Sequence, residues 1–104
     1  MYMNILISLC VQKAYKPTLV AKDMFDILSQ SEHPFASLVQ KEYEAQDFEI
    51  YLHHDVSQVT LKFHNCLSTD FKEDTFLKLQ CVQDLQKFFM NDEHNMITIK
   101  ASLI

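Results

Sequence analysis

The sequence contains no glycine in its 104 residues. At the usual frequency near ~7%, about seven would be expected. Glycine supplies positive φ and lets backbone approach a phosphate closely. Its absence excludes the P-loop, the Gly-rich dinucleotide turn, the nucleophile elbow and the usual EF-hand loop. Most nucleotide-dependent chemistry goes with them. The chain must turn on Asn, Asp, Ser, His and its two prolines.

Arginine is absent too; all nine basic residues are lysines. Bidentate grips on phosphate or carboxylate, and the arginine readout of guanine, are therefore excluded. Nine basic residues against fourteen acidic ones leave a formal net charge of -5, with no basic cluster. This balance argues against direct nucleic-acid binding.

Cysteine is scarce and odd in number: Cys10, Cys66 and Cys81. Such wide spacing fits neither a disulfide scaffold nor a zinc knuckle. Free thiols in apolar stretches imply a reducing, intracellular setting, and the cytoplasm is the expected location. No apolar run reaches the ~20 residues that span a bilayer. The opening Met1–Val11 stretch lacks a basic flank and a small-residue cleavage site, and Lys13 and Lys16 close it. Leu9 is too large for the position before an acylated cysteine. The stretch reads as a buried strand, and no membrane partner is expected.

What is present is ordinary globular material: 48% hydrophobic and 22% charged. Residues 1–104 fit a single α+β domain that needs neither disulfide nor metal to hold it. Asn4–Val11 reads as a strand with Ile5, Ile7 and Leu9 on one side. A helix follows Pro17, with Thr18 as N-cap and Val20, Met24, Ile27 and Leu28 at helical spacing. His33-Pro34 opens a second segment, whose face of Phe35, Leu38, Val39 and Tyr43 favours a helix. A strand through Leu38 and Val39 is the competing reading of residues 34–46.

Period-two alternation is clearest from Asp47 to Cys66. With His54–Ser57 as a four-residue hairpin loop, Leu52 opposes Val59, Ile50 opposes Leu61 and Phe48 opposes Phe63. On the other face Tyr51 meets Thr60, Glu49 meets Lys62 and Asp47 meets His64. A slip by one residue would drive polar groups into the core, so this register is strongly specified. Asp70 then resembles an N-cap, with Glu73 as its capping-box partner. One helix is expected from there to about Met90, with Leu77, Cys81, Leu85 and Phe88 in a row. Asn91–Asn95 ends it, and Met96–Leu103 forms a last strand. The order β-α-α-β-β-α-β implies a two-layer sandwich with an open, mostly antiparallel sheet of about four strands. Without the extra helix it is the ferredoxin-like βαββαβ arrangement, with β1 and β3 central.

One sheet face is then left uncovered. It carries Tyr51, His53, Thr60, Lys62 and His64 from the hairpin, Leu6, Ser8 and Cys10 from the first strand, and Met96, Thr98 and Lys100 from the last. Leu6, Cys10, Tyr51 and Met96 make it more apolar than solvation requires, as association surfaces often are.

The five histidines do not assemble a metal site. His53 and His54 point to opposite faces of a strand, and His53 and His64 lie at opposite ends of the hairpin. His64 and Cys66, two residues apart, share a face but lack a third ligand. As a nucleophilic pair they lack an oxyanion hole and an electropositive setting. No motif requires a cofactor. Of the acidic clusters, Asp70, Glu73 and Asp74 serve a helix start. Glu42, Glu44, Asp47 and Glu49 form either a solvated corner or a patch that steers a basic partner.

The sequence therefore leads to a small acidic protein-binding module, not an enzyme. Its interaction residues are expected among Glu42, Glu44, Asp47, Glu49, Tyr51, His53, Lys62, His64 and Met96. It would act as a homodimer, or as an inhibitor, immunity-type protein or regulatory partner of a larger basic protein, such as one that itself binds nucleic acid. The competing expectation is a small-ligand sensor with a pocket near Phe25, Phe88 or Phe89.

Overall fold

Alternating side chains decide which face of a strand is buried. Ile5, Ile7 and Leu9 alternate with Leu6, Ser8 and Cys10, and the first three are fully buried. The computed structural model describes residues 2–67, 71–90 and 95–104. Its elements are β1 (Met3–Lys13), α1 (Pro17–Ser29), α2 (Phe35–Glu42), β2 (Asp47–His53), a 3-10 turn at His54–Val56, β3 (Gln58–Cys66), α3 (Glu73–Leu77), α4 (Gln80–Phe89) and β4 (Met96–Leu103).

The four strands form one antiparallel sheet in the order β2-β3-β1-β4. The fold is α+β, with β1 and β3 central and β2 and β4 at the edges, as the βαββαβ arrangement requires. The helical layer departs from that plan: among the described residues, each crossover carries two helical segments. The helices cover the face of Ile5, Ile7, Leu9, Val59, Leu61, Phe63, Ile97 and Ile99. Burying each of these side chains is worth about 1.5–3 kcal/mol.

The hairpin has the expected register throughout: Leu52 opposes Val59, Ile50 opposes Leu61, Phe48 opposes Phe63, Tyr51 opposes Thr60, Glu49 opposes Lys62 and Asp47 opposes His64. Lacking glycine, the chain puts Ser31, Glu44, Ser57 and Asn65 into the left-handed region. Each such residue costs on the order of 1–2 kcal/mol. Ser57 closes the hairpin loop. Asn65 is the extra residue of a bulge: Ile5 opposes Phe63 but Met3 opposes Cys66. Its backbone N–H donates to Asn4 Oδ1 at 3.0 Å, and its Nδ2 donates to Gln46 Oε1 at 2.7 Å.

The helices correct several expectations. Residues 35–42 are helical, the favoured of the two readings, with Phe35, Ala36 and Val39 buried, but Leu38, expected on the same face, points outward. The Phe35 N–H at the start of α2 donates to His33 Nδ1 at 3.2 Å. α1 begins at Pro17 with Lys16 as its cap residue, so Thr18 lies inside the first turn and caps nothing. The single helix expected up to Met90 is broken at Lys78 and Leu79, where Leu79 is extended (φ -62, ψ 142). The break rotates the buried stripe onto Phe76, Val82 and Leu85; Phe88 turns outward and Cys81 is half-buried. Asp70 and residues 91–94 lie outside the described residues. Glu73 opens α3 directly after its cap residue Lys72, not three residues into the helix, and its carboxylate accepts the Ala101 N–H of β4 at 2.8 Å. No described helix is long and apolar enough to cross a membrane.

Candidate interaction surface

The three strand registers turn the uncovered face into rows that run across the sheet. Tyr51, Thr60, Ser8 and Lys100 form one row. Glu49, Lys62, Leu6 and Ser102 form the next, and His53, Gln58, Cys10 and Thr98 another. Leu6, Cys10 and Tyr51 thus stand in separate rows, each shared with polar groups, and do not fuse into an apolar stripe. Met96 opposes Lys13 beyond a register irregularity in β1. Tyr51 is 45% exposed and Met96 52%, whereas Thr60 is buried.

Hydrogen bonds fix the β2 side of this face. His64 Nε2 lies 2.8 Å from Glu49 Oε2, so the ring reaches diagonally past its register partner Asp47. The His64 and Tyr51 hydrogen bonds, in that order, hold the Glu49 carboxyl below its usual range, and Lys62 adds a smaller charge effect. The same Glu49 bond pushes the Tyr51 phenol up. His53 Nε2 lies 3.0 Å from Thr60 Oγ1. Glu49, Tyr51, His53, Lys62 and His64 share one face, with His64 held at Glu49 and His53 at Thr60.

The acidic residues do not all join them. Glu42 lines a cleft between α2 and α4, with Leu38, Lys41, Leu79, Gln80 and Cys81. Glu44 lines a separate depression with Tyr2, Gln46, Asn65 and Leu67. Of the expected cluster, only Asp47 and Glu49 belong to β2.

The expected sharing of a face by His64 and Cys66 fails at the bulge. Inserting Asn65 shifts the alternation, so His64 stays on the outer face while Cys66 is fully buried. Its S–H donates to Phe63 O at 3.7 Å. Burial pushes both the Cys66 and the Cys81 thiol up, against nucleophilic use. Among the described residues, no group of three or more His, Cys, Asp or Glu is placed to hold a metal ion. Phe88 and Phe89 line a surface depression of about 240 Å³ with Val20, Asp23, Ile27 and Asn95, and Phe25 is packed elsewhere against the core.

Sequence reasoning missed the role of Glu73 on the edge of β4. It also missed Asn65, although an asparagine near a strand end is itself the signal of a left-handed position in a glycine-free chain. No family model, curated protein or solved structure matches the chain.

Proposed function

We propose that the chain is a small, non-catalytic protein-binding module of the cytoplasm that docks through the β2 side of its uncovered sheet face. The observation that carries this reading is the set Glu49, Tyr51, His53, Lys62 and His64. The sheet backbone sets these side chains on the face opposite the helices, and bonds to Glu49 and Thr60 hold His64 and His53 in place. An aromatic ring at the centre of fixed polar groups is the anatomy of a recognition patch. The net charge of -5 favours a partner, or a pairing, that presents positive groups to Asp47 and Glu49. Cys66 is fully buried, and burial pushes its thiol and that of Cys81 up, which supports a binding role over a chemical one for these two residues.

The test is a photo-crosslinking amino acid placed at Tyr51, with the same group at Lys87 on α4 as control, expressed in the cells that make the protein. A discrete protein adduct from position 51 and none from position 87 is the expected result. No adduct from position 51, or equal adducts from both, contradicts the reading.

A small-ligand sensor is the second reading. The α2–α4 cleft of about 410 Å³, with Leu38, Leu79 and Cys81 beside Lys41 and Glu42, favours it. Native mass spectrometry of freshly purified protein separates the two: a retained small molecule supports the sensor, and a bare chain supports docking.

A further inference from the structure

The two edges of the sheet are not equivalent. In an antiparallel ladder, successive residues direct their N–H and C=O alternately to one side and the other. The Val11 N–H donates to Ser57 O at 3.1 Å, which sets the phase between β1 and β3. Ile5, Ile7 and Leu9 then bond to Phe63, Leu61 and Val59. Gln58, Thr60 and Lys62 turn toward β2 and bond to His53, Tyr51 and Glu49. Phe48, Ile50 and Leu52 are left with their backbone groups pointing off the edge. Among the described residues, no hydrogen bond reaches those groups. The same phase sends the Ala101 N–H off the β4 edge, where Glu73 occupies it at 2.8 Å. On the β4 edge a carboxylate occupies the outward N–H of Ala101; on the β2 edge no outward N–H of Phe48, Ile50 or Leu52 has a partner among the described residues.

We infer that the β2 edge pairs with the β2 edge of a second copy, antiparallel about a two-fold axis at Ile50, joining two sheets into one. This rests on the docking reading above and names its occupant. Around that axis Ile50 meets the partner's Ile50, and Phe48 meets the partner's Leu52. These are hydrogen-bonded pairs, and they extend the half-buried apolar row of β2. On the outer face the closely approaching pairs are Glu49 with the partner's Tyr51, and Asp47 with the partner's His53. A carboxylate meets a phenol and an acid meets an imidazole, each twice by symmetry.

Neighbouring registers do less well. An axis at Glu49 sets two carboxylates against each other. An axis at Tyr51 also sets an acid, Glu49, against the partner's His53, but it pairs only Glu49–His53 and leaves Asp47 opposite the partner's 3-10 turn, beyond its strand. Only the axis at Ile50 uses all of Asp47–His53 with no like charges opposed.

Edge pairing sits at the small end of specific interfaces, below ~1,200 Å². Light scattering of the full chain should therefore show mass rising from monomer to dimer along a concentration series. The register is read with cysteine variants in a Cys10→Ser background, oxidised with glutathione disulfide. An equimolar mixture of Glu49→Cys and Tyr51→Cys proteins should give a disulfide-linked dimer at several times the yield of either alone. Preferential linking of Glu49→Cys alone, or of Tyr51→Cys alone, places the axis elsewhere and overturns the inference. A monomer at every concentration also overturns it. If the Tyr51 photo-adduct to another protein persists in that case, the docking reading survives; if both are lost, both fall.

Discussion

The backbone N–H of Ala101 on the edge strand β4 donates to Glu73 Oε2 at 2.8 Å. This bond ties the first residue of α3 to the sheet and fills an edge position that would otherwise invite another strand. Glu73→Ala should lower stability by about 1–2 kcal/mol, the range for a partly buried bond to a charged acceptor. Glu73→Gln keeps an acceptor and should lose less. Urea midpoints of the two variants check the order.

Asn65 occupies the left-handed region at φ 53 in the bulge of β3. Asn65→Ala should cost about 1–2 kcal/mol, because the conformation is unfavourable for a residue with a Cβ and no compensating side chain. Asn65→Gly should retain most of the stability despite losing the bond to Gln46 Oε1. Equal losses in thermal unfolding would mean that the side-chain bond, not the backbone, sets the cost.

Two groups weaken the fold in acid, in separate windows. Burial lowers the His33 pKa from 6.5, with Asp84 opposing more weakly, and Nδ1 accepts the Phe35 N–H only from the neutral ring. The unfolded chain therefore binds the proton more readily. His33 contributes stability above 6.5 that is lost as pH falls through its folded value. Glu49, lowered from 4.5 by the His64 bond, repeats the pattern further down. Thermal midpoints should decline in two stages. His33→Asn, whose Oδ1 replaces the acceptor, should flatten the upper stage, and His64→Gln the lower.

The alkaline side is set by buried acids that resist ionising. Burial pushes the Tyr43 phenol from 10.0 to about 12. The folded state binds this proton more tightly than the unfolded chain. The stability it contributes is full below 10.0 and is lost as pH rises to about 12. The raised thiols of Cys66 and Cys81 begin the same loss from 9.0. Tyr43→Phe should remove the upper part of the decline, read as a shallower fall of the urea midpoint with pH.

The hairpin was legible residue by residue because two independent patterns agreed. Apolar residues alternate on both strands, and the same register sets Glu49 against Lys62. The helix break at Leu79 was not legible. No glycine or proline marks it, and the apolar spacing of Leu77, Cys81 and Leu85 runs straight across it, so only tertiary packing of Phe76 and Val82 decides the stripe. The face of Cys66 was misread for a different reason: counting by twos fails wherever a bulge adds a residue, and the bulge at Asn65 lies immediately before it. Glu73 was read as a local cap, whereas its partner Ala101 lies 28 residues away, beyond the reach of any local pattern.

Amide hydrogen exchange tests the open edge most directly, because β2 carries its own control. The N–H groups of Glu49, Tyr51 and His53 bond within the chain to β3, while those of Phe48, Ile50 and Leu52 face outward. In dilute protein the first set should be protected and the second should exchange as exposed amides. In concentrated protein the second set should slow by roughly tenfold or more as another strand covers it. Exchange at Phe48, Ile50 and Leu52 that stays fast at every concentration would contradict the pairing of two copies along this edge.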